Sequence, residues 1–192
     1  MPMWLIIILA VVVVVIVFIW TNYNKIVKLN ERVNEAWSDI TVQLKYRADL
    51  IPNVVETVKG YAKHEKGVFK EVTEARAAVM GAKDVKSTAE AEKSMESALG
   101  KIFALAEAYP ELKANENFQQ LQTQLQDVED KIQSARRFYN AGAQELNTKI
   151  KMFPINLFNG FGFKARDYFD VDEAEKEKIK DAPEVKFDDE KE

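Results

Sequence analysis

The sequence predicts an all-α protein, in which an N-terminal transmembrane helix continues into a long antiparallel (up-down-up-down) four-helix bundle. Three observations predict this class. Residues 3–20 form one uncharged apolar run. Apolar residues recur at steps of three and four in four later segments, which is the spacing of amphipathic helices that pack together. No alternating run of apolar and polar residues is bounded by turn residues, as a half-buried strand would be.

The apolar run is long enough to cross a bilayer, since about 20 apolar residues in a helix span ~30 Å of hydrocarbon. Trp4, Trp20 and Tyr23 stand where interfacial aromatic anchors belong. The alternative is a cleaved signal peptide, which would need a basic start, a shorter apolar core and small residues before the cleavage site. The sequence Phe18-Ile19-Trp20 is a poor cleavage site, so we expect a retained anchor.

The charges next to the run predict its orientation. Lys25, Lys28 and Arg32 follow the run, and no basic residue precedes it. The positive-inside rule then places the bundle on the cytoplasmic side of the membrane, with a single pass.

A proline decides where the first two helices of the bundle are predicted to meet. Pro52 is costly inside a helix but tolerated in a first turn. We therefore expect the first helix to end near Arg47 and the second to begin at Asp49, whose carboxylate can cap free N–H groups. The second helix should run to about Met80, where Gly81 provides the stop.

The third and fourth helices have clearer boundaries. Residues 87–90 (Ser-Thr-Ala-Glu) have the spacing of a capping box and should open the third helix, which Pro110 ends. Asn115 can cap the fourth helix. The fourth helix carries the longest apolar seam of the chain, which consists of Phe118, Leu121, Leu125, Val128, Ile132, Ala135, Tyr139, Gly142 and Leu146.

We divide the chain into an anchor (1–22), the helical bundle (23–153), an aromatic-rich segment (154–169) and an acidic tail (170–192). In the predicted topology the fourth helix returns to the membrane near Phe153, so the aromatic residues that follow should pack over the base of the bundle or touch lipid headgroups. These membrane-proximal aromatic residues are Phe153, Phe158, Phe161 and Phe163. The tail holds 11 acidic residues and 5 lysines, and we expect it to be disordered.

Three charged residues are candidates for a buried polar seam. Arg47 lies on the apolar stripe of the first helix and Glu65 on that of the second, and Glu107 should reach the level of Arg47. Because unpaired charges in a seam are costly, Arg47 is expected to pair with Glu107 or Asp49. Such a pair could fix the register of the helices or could form a ligand or partner site.

Composition excludes several classes of site. The chain has no cysteine and a single histidine, His64, so thiolate sites and multi-histidine metal sites cannot come from one chain. The chain has a net charge of −4, whereas nucleic-acid-binding proteins usually carry a strongly basic surface. Residues 160–165 match the letters of a dinucleotide fingerprint but lack the preceding strand that this motif needs. We predict no enzymatic activity and no cofactor.

Two blocks of the sequence resemble the LemA family of bacterial membrane proteins. They are residues 36–65 and residues 107–118, the second continuing through residues 135–140 to Asn147 and Phe153-Pro154. The resemblance implies an anchored antiparallel helical bundle in the bacterial inner membrane, with no established enzymatic activity. Some relatives resemble lipoproteins with a cysteine after a short leader, and this chain lacks that cysteine.

The functional prediction is therefore a single-pass, non-enzymatic scaffold or protein-interaction module. Its expected partners are the lipid bilayer, an unidentified protein and further copies of itself. The alternatives are a peripheral membrane-remodelling protein and a metal-carrying or ligand-carrying bundle.

Overall fold

The structure, a computed structural model, describes residues 2–156 and 162–169. Its helices are α1 (Met3–Lys59), α2 (Lys66–Gly81), α3 (Val85–Ala108), α4 (Pro110–Lys113) and α5 (Glu116–Lys151). Within those ranges no residue is in a β-strand. The predicted all-α class is confirmed.

Helix α1 joins the apolar run to the packed part of the protein without a break. Its 57 residues correspond to a rod of roughly 86 Å. The side chains of residues 3–20 are all exposed, and the buried positions begin at Ile26. By length and composition this exposed part of α1 is a candidate membrane span.

The predicted break between Arg47 and Asp49 is wrong, because α1 continues through Pro52 to Lys59. A proline inside a helix leaves the carbonyl group four residues earlier without its usual N–H donor. That carbonyl belongs to Ala48, and the Nε–H of Arg76 on α2 donates to it at 2.7 Å. A neighbouring helix thus supplies the hydrogen bond that Pro52 removes.

The caps of α3 and α5 differ in how well the sequence predicted them. The N-cap of α3 is Asp84, three residues before the predicted N-cap Ser87, and its carboxylate accepts from the backbone N–H of Ser87 at 2.8 Å. The hydrogen bonds of Ser87 to this exposed carboxylate lower the pKa of Asp84. Asn115 caps α5 as predicted, by accepting from the N–H of Phe118 at 3.0 Å.

Contacts between the helices fix their directions. At the end of α1 farthest from the apolar run, the amide of Asn115 donates to the hydroxyl of Tyr61 at 2.9 Å. Nearer the run, Gly142 of α5 lies against Val33, because a Cβ atom there would stand 3.3 Å from the Val33 side chain. Helices α1 and α5 are therefore antiparallel and closely packed. The most deeply buried side chains include Ile40, Ile51, Met95, Ile102, Leu112, Phe118, Ile132 and Leu146.

Candidate functional site

A network of four charged side chains lies between α1, α3 and α5. The Arg47 guanidinium pairs through Nη2 with Oε1 of Glu92 and through Nη1 with Oε2 of Glu129, the latter at 2.7 Å. The second oxygen of Glu92 accepts from Nη2 of Arg136 at 2.7 Å. Arg47 and Glu92 are only 2% and 3% exposed. Both oxygens of Glu92 are therefore paired with guanidinium groups in the core.

The electrostatic balance at Glu92 is set mainly by burial. Desolvation raises the pKa of the Glu92 carboxyl, while the charges of Arg47 and Arg136 lower it and Glu129 adds a smaller repulsion. Removing a carboxylate from water is costly, and its attraction to buried cations offsets this cost only in part. The desolvation cost of Glu92 is therefore offset only while both of its arginine partners are present.

An extended segment, residues 162–169, lies in the groove between α1 and α5; we call it the strap. Asn147 accepts from the N–H of Arg166 at 2.8 Å and donates to its carbonyl at 2.9 Å. Asn140 makes the same two hydrogen bonds with Phe169, both at 2.8 Å. Each asparagine thus replaces the partner that a neighbouring β-strand would provide.

The length of the strap agrees with a fully extended chain. Its Phe163 ring contacts Tyr23, with ring centroids 5.7 Å apart, and its Phe169 ring lies 6.4 Å from Trp37. The 14 residues of α1 between Tyr23 and Trp37 rise about 21 Å, and six extended residues cover roughly 20 Å. The strap therefore climbs along α1 away from the apolar run.

The strap covers one end of the charge network. The Arg136 guanidinium lies over the Phe169 ring at 4.5 Å from its centroid, while its Nη2 holds Glu92. Tyr139 donates its hydroxyl proton to the carbonyl of Asp167 at 2.9 Å, and burial raises the pKa of this phenol. Arg136 Nε is buried without a hydrogen-bond partner among the described residues. The Phe169 ring thus covers the guanidinium group of Arg136.

The structure separates the three residues of the predicted polar seam. Arg47 is buried and paired, as expected, but its partners are on α3 and α5. The predicted pairing with Glu107 or Asp49 is wrong, because Glu107 is exposed and pairs with Lys113 at 2.6 Å. Glu65 is half-buried at the N-cap of α2. Because α1 extends to Lys59 and α2 begins only at Lys66, Glu65 does not lie on the apolar stripe of a helix.

The predicted aromatic residues occupy different surroundings. Trp4, Trp20 and Tyr23 are exposed on α1. Phe153 is 76% exposed at the end of α5, whereas Phe163 is half-buried in the strap. Phe158 and Phe161 lie outside the described residues. Whether this region contacts lipid stays a prediction.

No pattern in the sequence was interpreted as indicating Glu92, Glu129 and Arg136, or the two asparagines that hold the strap. Glu92 could have been found, because it stands three residues before Met95 and seven before Leu99 on the apolar stripe of α3. The asparagines are seven residues apart and flank buried positions of α5, which places both on one side of that helix. Their role depends on the strap, which has no local sequence pattern of its own.

A second surface, the α1/α5 face, is open to solvent. A groove between these helices is lined by Asp39, Gln43, Asp127, Asp130, Lys131, Ser134 and Ala135. Three large exposed apolar side chains lie three residues from lining residues on the same helices. Val42 (57% exposed) follows Asp39, Tyr46 (46%) follows Gln43 and Phe138 (55%) follows Ala135. Over the described residues, no three His, Cys, Asp or Glu side chains are grouped closely enough to hold a metal ion.

Comparisons with known proteins place the chain in a family. It is 25% identical to the magnetosome protein MamQ of Magnetospirillum gryphiswaldense over 174 residues, covering 77% of this chain and 64% of that protein. The match to magnetosome protein MamQ 1 of Paramagnetospirillum magneticum has the same identity and coverage. The chain therefore spans slightly less than two thirds of these relatives.

A third relative carries the family name. The protein LemA of Metamycoplasma hominis is 26% identical over 157 residues, which cover 78% of this chain and 72% of that protein. The sequence profile of the LemA family matches residues 36–187, which include α2 to α5, most of the packed part of α1, and the strap. The chain belongs to the LemA family.

Proposed function

We propose that this protein is a non-enzymatic scaffold, anchored in the membrane by α1, which binds a protein partner through the α1/α5 face. The observation that carries the proposal is the exposure of Val42, Tyr46 and Phe138, each three residues along its helix from a residue that lines one groove. Large apolar residues grouped on a surface and rimmed by polar residues are typical of protein-interaction sites.

The charge network supports a structural rather than a catalytic assignment of the core. Both oxygens of Glu92 and both terminal nitrogens of Arg47 are paired within the protein. Gln133 also donates to the remaining oxygen of Glu129 at 2.8 Å. A general acid or base must reach a substrate, and these groups are already occupied by one another.

The chemistry of the α1/α5 face favours a basic, amphipathic partner. Three carboxylates line the groove, from Asp39, Asp127 and Asp130, against the single cation of Lys131. A partner helix with an apolar stripe and flanking lysines or arginines would complement this surface. Two acidic faces would repel each other, so the self-association expected from the sequence would use another surface.

The continuous helix would set the height of the partner above the bilayer. Asp39 and Val42 follow Trp20 by 19 and 22 residues, which corresponds to about 29 and 33 Å along the helix. The orientation that the positive-inside rule favours would place the partner in the cytoplasm.

Site-specific photocrosslinking in native membranes tests the proposal. A photoreactive phenylalanine analogue at position 138 should give a reproducible adduct, while the same analogue at Met80 should not. Met80 is the matched control, because it is 48% exposed but lies at the end of α2. We expect the position-138 adduct to contain a protein with a basic helix.

Two results would contradict the assignment. Equal yields of adduct from positions 138 and 80 would show that no partner binds preferentially at the α1/α5 face. An adduct with twice the mass of this chain would show that the face binds a second copy, against the charge argument.

A further inference from the structure

A basic pocket lies where α1 leaves the apolar run and α5 ends. Its volume is about 330 Å³, which is at the lower end of small-molecule sites. The residues that line it are Asn22, Lys25, Ile26, Lys28, Leu29, Arg32, Glu145, Lys149 and Ile155. Four cations thus surround a pocket that contains one carboxylate.

The membrane-proximal end of the pocket lies at the height of a lipid headgroup. Lys25 follows Trp20 by five residues, or about 7.5 Å along the helix, and the headgroup layer on each side of a bilayer is ~5–8 Å thick. Val33 and Gly142 are level with each other. Because Lys149 and Ile26 are each seven residues nearer the apolar run, Lys149 reaches the same layer as Lys25.

The remaining lining is ordered from the membrane outwards. By the same count, Lys28 lies next above Lys25, while Glu145 and Arg32 lie at the far end of the pocket. The buried side chains of Ile26, Leu29 and Ile155 form its apolar wall. In the described residues, none of the four cations forms an ion pair within 4.0 Å.

We propose that this pocket binds the headgroup of an anionic phospholipid whose phosphate lies between Lys25, Lys28 and Lys149. Lysines close to a membrane surface bind lipid phosphates, and basic pockets between helices are known headgroup sites. The Glu145 carboxylate is an acceptor for a hydroxyl group of the headgroup, which favours phosphatidylglycerol-type lipids. The proposal depends on membrane insertion of α1 and is independent of the α1/α5 face.

A matched pair of lysines separates a built pocket from general attraction of basic residues to the membrane. Lys149 and Lys151 both lie in the last turn of α5, at nearly the same height. Positions two residues apart point to different sides of a helix, and Lys151 does not line the pocket. If lipid were held only by general attraction to basic residues, loss of either lysine would have the same effect. If it is held in the pocket, only loss of Lys149 should matter.

The experiment uses the full chain in nanodiscs that contain equal amounts of phosphatidylglycerol and phosphatidylcholine, with bound lipid measured by native mass spectrometry. The unmodified protein should retain phosphatidylglycerol preferentially. Lys149→Gln should weaken this retention about fivefold and Lys25→Gln/Lys149→Gln on the order of 10- to 30-fold, while Lys151→Gln should change it less than about twofold. Circular dichroism of each variant checks that the helices remain folded.

Several outcomes would overturn the proposal. Equal retention of the two lipids would remove the preference for an anion. Equal losses of phosphatidylglycerol retention in Lys149→Gln and Lys151→Gln would show that the lipid is held only by general attraction to basic residues. In discs of phosphatidylcholine alone, binding of inorganic phosphate as tight as that of phosphatidylglycerol would assign the pocket to a soluble anion instead of a lipid.

Discussion

Arg47 is stable in the core only while carboxylates surround its guanidinium group. Arg47→Met removes the shared partner of Glu92 and Glu129 and leaves a buried carboxylate with Arg136 alone. We expect the free energy of unfolding to fall by about 3–5 kcal/mol, the usual effect of breaking a buried pair. Chemical denaturation of the full chain in detergent measures this change.

Lys45 provides the control for this prediction. It pairs with Asp49 at 2.7 Å on the exposed side of the same helix, so Lys45→Met should lower the free energy of unfolding by less than about 1 kcal/mol. Equal losses from the two variants would show that the buried network contributes no more than a surface pair.

The contribution of Glu92 to the free energy of unfolding should depend on pH, because its carboxyl group titrates. Because burial raises the pKa of this carboxyl above its ordinary value of 4.5, the folded chain binds the proton more tightly than the unfolded chain. Its contribution to the free energy of unfolding therefore increases as pH falls from the folded pKa towards 4.5, and decreases as pH rises.

Glu92→Gln removes this dependence. Its destabilisation relative to the unmodified chain should therefore be smallest near neutral pH and should grow as pH falls through that window. Glu90→Gln, at an exposed position of the same helix, is the control for the substitution itself. Denaturation curves at several pH values measure the trend, and a destabilisation by Glu92→Gln that is greatest at neutral pH would refute it.

At the scale of the helices, Pro52 and Arg76 act as a pair. Arg76→Met leaves the Ala48 carbonyl without a donor and should cost about 1–3 kcal/mol. Pro52→Ala restores a backbone N–H to that carbonyl, so Arg76→Met should cost clearly less in the Pro52→Ala background. A double-mutant cycle of denaturation measurements gives the coupling. Additive effects would mean that Arg76 does not compensate for the proline.

The strap should open when its asparagine contacts are removed. Asn140→Ala/Asn147→Ala deletes four hydrogen bonds to the backbone of Arg166 and Phe169. We expect trypsin to cleave after Arg166 at least about tenfold faster, because proteolysis follows local opening. Asn117→Ala, on the exposed first turn of α5, is the control, and unchanged cleavage in the double variant would show that the asparagines do not hold the strap.

The sequence predicted the helices better than it predicted their contacts. Periodicity and caps located α5 and its Asn115 cap, because those signals are local. The break near Arg47 was predicted wrongly because the side chain that satisfies the Ala48 carbonyl comes from Arg76, 28 residues away. This error moved Glu65 and Glu107 to the wrong levels and hid the pairing of Arg47 with Glu92.

At the scale of the whole molecule, the main feature is a single helix that belongs to both the apolar run and the packed core. From Trp20 to Lys59 this helix rises about 58 Å, and α5 and the strap are packed along it. The height of the α1/α5 face and the position of the basic pocket both depend on this continuity. A hinge near Pro52 would change the packing around Arg47 first.

Distance measurement between spin labels on α1 tests this continuity most directly. The chain has no native cysteine, so Asn24→Cys/Glu56→Cys gives two exposed labels on one helix and no others. An unbroken helix places the labelled backbone positions about 48 Å apart. A chain that turned back between Arg47 and Asp49 would bring them to roughly 25–30 Å. A distance near 48 Å in the membrane-inserted protein is the result we predict, and the shorter distance would contradict the structure on which the proposed function rests.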